Sequence, residues 1–81
     1  MLGQDESRQL TVMLLGYQAS QRRKVDIGKY TLHFNRKRAH NRYFYIVELK
    51  EGKRVVERGM FEEYGKAVNY AGSIMFEKAY G

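Results

Sequence analysis

The sequence predicts a two-layer α+β domain in the order α-β-β-β-α, with three antiparallel strands and two helices on one face of the sheet. Apolar residues recur at helical spacing near both ends, alternate with polar ones in between, and are separated by glycine or polar runs. Eighty-one residues make one domain over 1–81, near the lower size at which a single hydrophobic core holds a fold unaided. With no cysteine there is neither a disulfide framework nor a zinc–thiolate site, so stability has to come from apolar packing or a partner subunit.

A first helix is predicted from Asp5 to about Arg23. Asp5 or Ser7 would cap free amides at its start, and Asp5 and Glu6 suit the positive end of its dipole. Leu10, Met13, Leu14 and Tyr17 follow the i, i+3, i+4, i+7 rule and form its expected core face. Leu10 to Leu15 would also serve as a strand, and Gly16 weakens a helix by about 1 kcal/mol. The period then becomes two. Tyr30, Leu32 and Phe34 alternate with Lys29, Thr31 and His33 in the first strand. A polar, basic loop is expected from Asn35 to Arg42. The aromatic and β-branched run Tyr43 to Leu49 gives the second strand, the centre of the sheet. Lys50-Glu51-Gly52-Lys53 is a hairpin turn, and Arg54 to Gly59 or Met60 the third strand. The last helix, about Glu63 to Ala79, lines one face with Tyr64, Ala67, Val68, Ala71, Ile74 and Met75.

The charge is concentrated. Eight of the 15 lysines and arginines fall between Arg22 and Arg42, opposed only by Asp26, so this quarter of the chain carries +7 and the rest −1. Such a local field attracts phosphate and speeds encounters with polyanions. Arg36, Lys37, Arg38, His40 and Arg42 form the main cluster, with Arg22, Arg23 and Lys24 a second one at the end of the first helix. Arginine forks suit bidentate phosphate contact, and Asn35, Asn41 and His40 add neutral hydrogen-bonding groups. The plain alternative is a solvated hairpin tip. Tyr43 and Tyr45 become candidates for base stacking if Phe44 and Ile46 face the helices, an assignment the sequence leaves reversible.

Other chemistries find little support. The longest nearly apolar run, Leu10 to Leu15, is far short of the ~20 residues that span a bilayer. The acidic start at Gln4-Asp5-Glu6 is unlike a signal peptide, so a cytoplasmic protein is expected. His33 and His40 have no carboxylate or thiol at metal-binding spacing, and Ser7, Ser20 and Ser73 have no visible base. The expectation is a binding protein without cofactor, not an enzyme.

The order of elements resembles that of double-stranded-RNA-binding domains. His40 and Phe44 have the spacing of that family's loop histidine and the phenylalanine entering its second strand. Gly52, Gly59, Ala67 and Ala71 resemble its hairpin glycine, pre-helix glycine and helix alanines. The likeness covers about Tyr30 to Tyr80 and implies RNA binding through the loop at His40. Two departures stand beside it. The family's lysine cluster at the last helix is replaced by Glu62-Glu63-Tyr64-Gly65-Lys66, leaving Lys66 alone for that part, and Arg38-Ala39 replaces the Gly-Pro before the histidine.

Gly65, Gly72 and Ala79 recur every seven residues along the last helix. They mark either close packing inside the fold or a contact with a second copy, a homodimer in which Tyr70, Phe76 and Tyr80 would share. The leading expectation is a small basic protein gripping a nucleic-acid backbone, RNA ahead of DNA. The alternatives are a compact phage-type or regulatory inhibitor or adaptor docking on an acidic protein surface, and a subunit of a larger particle.

Overall fold

The structure, a computed structural model, describes residues 3–81. Its elements are α1 (Gln4–Arg22), β1 (Lys24–Ile27), β2 (Tyr30–Ala39), β3 (Arg42–Glu51), β4 (Arg54–Phe61) and α2 (Tyr64–Tyr80). The α+β class and the two helices are as expected, but the sheet has four strands, in the antiparallel order β1-β2-β3-β4. The additional strand is β1. Arg23 takes a left-handed conformation (φ 66°) after α1, and its N–H donates to the Ala19 carbonyl, which stops the helix and turns the chain back. Gly28, at φ 58°, then supplies the tight turn that brings Ile27 opposite Tyr30.

α1 starts earlier than expected. Gly3 is its N-cap, so Asp5 and Ser7 lie inside the helix rather than capping it. Asp5 and Glu6 still sit in the first turn, where the dipole favours them. α2 begins at Tyr64, with Glu63 as its cap residue.

Both helices cover one face of the sheet. Leu32 and Phe34 of β2 and Val47 and Leu49 of β3 are buried there against Ala19 of α1 and Ala67, Val68, Ala71, Ile74 and Met75 of α2. The tyrosines of β3 follow from this. Val47 and Leu49 face inward, so Tyr43 and Tyr45 share their side, while Phe44 and Ile46 face away from the helices. Ile46 is nevertheless buried, on the open face, beside Phe44 and opposite Met60 of β4.

The core face of α1 differs from the expected one. Leu10, Met13, Leu14 and Tyr17 are exposed, and the helix packs through Val12, Leu15, Gly16 and Ala19 instead. The physical reason is the approach of α1 to α2. A methyl group on Gly16 would collide with the Val68 carbonyl oxygen, and one on Gly72 with the carbonyl oxygen of Val12. Backbone therefore meets backbone at two points, which only the small-residue face of α1 permits. Gly72 is thus enclosed within the chain's own helix pair. Gly65 faces open space and Ala79 is exposed, so the three do not form one continuous outer stripe. Tyr70 packs on Phe61, and Phe76 on Tyr80 beneath the Arg8 guanidinium.

Replacing Gly72 with Ala should lower stability by about 2–3 kcal/mol, because the obstacle is backbone and cannot rotate aside. Gly65→Ala, in open space, should raise it by up to about 1 kcal/mol through helix propensity. Urea denaturation midpoints of the two variants, measured side by side, check both signs.

Candidate nucleic-acid interface

The expected basic loop is a strand pair. β2 runs on to Ala39 and β3 begins at Arg42, with every residue from Tyr30 to Ala39 paired to its counterpart in β3. His40 and Asn41 form the two-residue tip, both with positive φ (53° and 64°), the backbone of a type I′ turn. β1 pairs with β2 only as far as His33, and β4 with β3 only from Tyr45. The outer part of the hairpin is therefore a two-stranded ribbon beyond the four-stranded sheet, in a molecule 45 Å long and 18 Å thick.

Strand alternation divides the basic residues between the two sides of this ribbon. Arg36 and Arg38 share the helix-side face with Tyr43 and Tyr45, since Phe34 two residues earlier is buried there. Lys37 and Arg42 point the other way. The Arg36 guanidinium carbon lies 4.7 Å from the Tyr43 ring centroid and that of Arg38 5.8 Å, so both forks are within cation–π reach of one ring. Arg38 also donates to Asn41 Oδ1 at 3.5 Å, near the limit of a hydrogen bond. These contacts hold the two arginines on one side of the ribbon.

The two basic clusters come together at one residue. The Arg23 carbonyl accepts the Phe34 N–H at 2.8 Å, which ties the end of α1 to the base of the ribbon. Arg23 and Arg36 then line one cleft of about 130 Å3 with Ser20, Phe34, Tyr45 and Tyr64. The Ser20 and Tyr64 hydroxyls are 2.6 Å apart, and the rings of Phe34, Tyr45 and Tyr64 stack edgewise or tilted with centroids 5.4–6.2 Å apart. Two arginine side chains, a mutually bonded pair of hydroxyls and an aromatic wall thus share one opening. Arg22 is exposed in the last turn of α1. Lys24 lies opposite His33, on the face away from the helices.

Two expected contributors are engaged elsewhere. Arg42 pairs with Glu62 at 3.2 Å and Lys66 with Glu63 at 3.5 Å, so the two acidic residues before α2 each meet a site cation. Such exposed pairs are worth under about 1 kcal/mol and open easily to a phosphate. Among the described residues, Arg22, Arg23, Lys24, Arg36, Lys37 and Arg38 have no carboxylate partner. At the α2–β4 seam, burial and then the Glu57 carboxylate push the Tyr70 phenol above its ordinary value, so it remains neutral and acts as a packing group.

Ser20, Phe34 and Tyr64 of the cleft, and the arginine pair around Tyr43, did not emerge from sequence spacing. A signal existed for the second. Once His40-Asn41 is read as a two-residue turn, Arg38 must face Tyr43 and Arg36 must face Tyr45. The cleft needed the path of α1, which spacing does not give. No family model, curated protein or solved structure matches the chain.

His40 occupies a left-handed conformation that asparagine tolerates better, and Asn41 one that glycine adopts without strain. The double variant H40N/N41G should therefore be more stable by about 1 kcal/mol, the preferred chemistry of such a turn. Thermal denaturation reads the shift. Slower amide exchange at Ala39 and Arg42 locates it at the tip.

Proposed function

We propose that this chain binds nucleic acid, with the β2–β3 ribbon and the end of α1 gripping the phosphate backbone and RNA preferred to DNA. The observation that supports this most is the set of six cations with no carboxylate partner among the described residues, Arg36, Lys37 and Arg38 on a ribbon that stands clear of the body and Arg22, Arg23 and Lys24 at its base. His40 and Arg42 belong to the ribbon's outer end, and Lys66 to the first turn of α2. Arg36, Lys37 and Arg38 meet phosphates without first breaking an ion pair, and Arg42 exchanges only its exposed pair with Glu62.

The roles divide by position. Arg36 and Arg38, aligned by Tyr43, reach phosphates on one side, and Lys37 with Arg42 on the other. Arg23 and Arg36 hold one phosphate in the cleft at the ribbon's base. Asn35, His40 and Asn41 supply neutral groups for 2′-hydroxyls and base edges in the shallow minor groove of A-form RNA. Tyr43, 45% exposed, offers one ring to an unpaired base at the site's margin. Tyr45 packs against Phe34 and Tyr64 and serves the wall of the cleft. The mode differs from that of double-stranded-RNA-binding domains at the last helix, where Glu62 and Glu63 replace a lysine grip.

Binding measured against duplex RNA, duplex DNA and single-stranded RNA over a range of salt tests the proposal. Duplex RNA should bind tightest, with affinity falling steeply as salt rises. Neutralising Arg36, Lys37 and Arg38 together to Gln should reduce the log–log salt slope by about 2–3 and leave the far-UV circular dichroism unchanged. A two-stranded ribbon also fits the major groove of B-form DNA, so tighter duplex-DNA binding would reverse the RNA preference while keeping the grip. Absence of binding at low salt to all three would overturn the proposal in favour of an acidic protein target.

A further inference from the structure

α1 presents an apolar face that nothing else in the described chain covers. Leu10, Met13, Leu14 and Tyr17 are 47%, 56%, 65% and 54% exposed and form one stripe along the helix. A groove of about 500 Å3 runs beside it, between Met13 and Tyr17 of α1 and Tyr64, Gly65 and Val68 of α2. The stripe cannot turn inward, because Gly16 and Gly72 fix the opposite face of α1 against α2.

We propose that this face binds a second copy of the chain, the two α1 helices packing antiparallel about a two-fold axis that passes between Met13 and Leu14. The proposal stands apart from nucleic-acid binding. The spacing of the stripe is symmetric about that point. Antiparallel pairing brings Leu10 level with Tyr17 of the second copy and Met13 level with Leu14, so each large side chain meets another. A two-fold contact requires such self-complementarity of one patch.

The charge at the start of the helix favours the same direction. Glu6 shares the face of the stripe, whereas Asp5 lies toward α2 beside Val12 and Asn69, and Arg23 lines the cleft with Arg36. Antiparallel helices set Glu6 level with Gln21 of the second copy, near its basic last turn. Parallel helices would set Glu6 against Glu6. The four side chains expose on the order of 100 Å2 each. Two stripes with the bordering groove residues therefore reach about 1,000 Å2, the size a specific interface needs. The open space at Gly65 leaves room for a side chain of the incoming helix.

Sedimentation equilibrium on nuclease-treated protein, at moderate and high salt, tests this directly. The expected mass is twice the 9.6 kDa of the chain. Leu14→Asp should weaken dimerisation at least a hundredfold with unchanged far-UV circular dichroism, since Leu14 is the most exposed of the four. The cysteine-free chain also allows a test of direction that does not depend on that variant. Under mild oxidation Met13→Cys should form a covalent dimer, because position 13 lies near the two-fold axis, and Glu6→Cys should not. A monomeric wild-type mass, cross-linking of both variants, or cross-linking of neither would overturn the proposal.

Discussion

The fold depends on a close approach of two helices, in which the backbone of α1 touches that of α2 at Gly16 and Gly72. Each glycine costs helix propensity of about 1 kcal/mol in isolation. What it permits is a helix pair thin enough for both members to lie on one small sheet. The contact also orients α1 about its own axis. Val12, Leu15 and Ala19 turn inward beside Gly16, and the larger apolar residues are left outside. Because α1 is fixed along its length, its last turn arrives beside β2, and the Arg23 carbonyl can accept the Phe34 amide. The cleft between Arg23 and Arg36 is a consequence of this placement.

The ribbon is stabilised by different means. Beyond His33 and before Tyr45 none of the other described strands flanks it. Its order rests on the paired backbone, the positive-φ turn at His40-Asn41 and the stacking of Arg36 and Arg38 on Tyr43. Each arginine does two things there. Its planar fork packs on a ring, which limits the rotamers lost when a ligand binds, and its charge still faces solvent.

Much of this organisation was legible in the sequence, and the omissions have physical causes. The helices at the two ends, the strand cores and the charge concentration follow from periodicity and composition. The inner face of α1 did not, because apolar periodicity identifies the largest greasy stripe, whereas close helix packing selects the smallest one. The facing of β3 stayed open because Phe44, Tyr45, Ile46 and Val47 are apolar on both sides, and Ile46 is indeed buried on the face away from the helices. The strand from Arg36 to Ala39 looked like a loop since both of its faces meet water, and period two is visible only where one face is buried. β1 is four residues long, and its signal, Val25 and Ile27 before Gly28, is correspondingly faint. The glycine stripe of α2 was legible as a contact. Which contact it served depended on Gly16, fifty-six positions away from Gly72 in the chain.

The bare flanks of the ribbon have a further consequence. Asn35 to Ala39 on one side and Arg42 to Phe44 on the other present amide and carbonyl groups that no adjacent strand satisfies. Such flanks are templates on which other chains add strands and begin to aggregate, and natural proteins discourage this with lysine and arginine at the edge. The cations of the ribbon hold that position here. Mutual repulsion keeps like ribbons apart in free protein, and a bound polyanion would remove the repulsion while itself shielding the flanks. Resistance to edge pairing and the proposed attraction of a polyanion thus draw on the same few side chains, which ties the tolerance of this hairpin for sequence change to both at once.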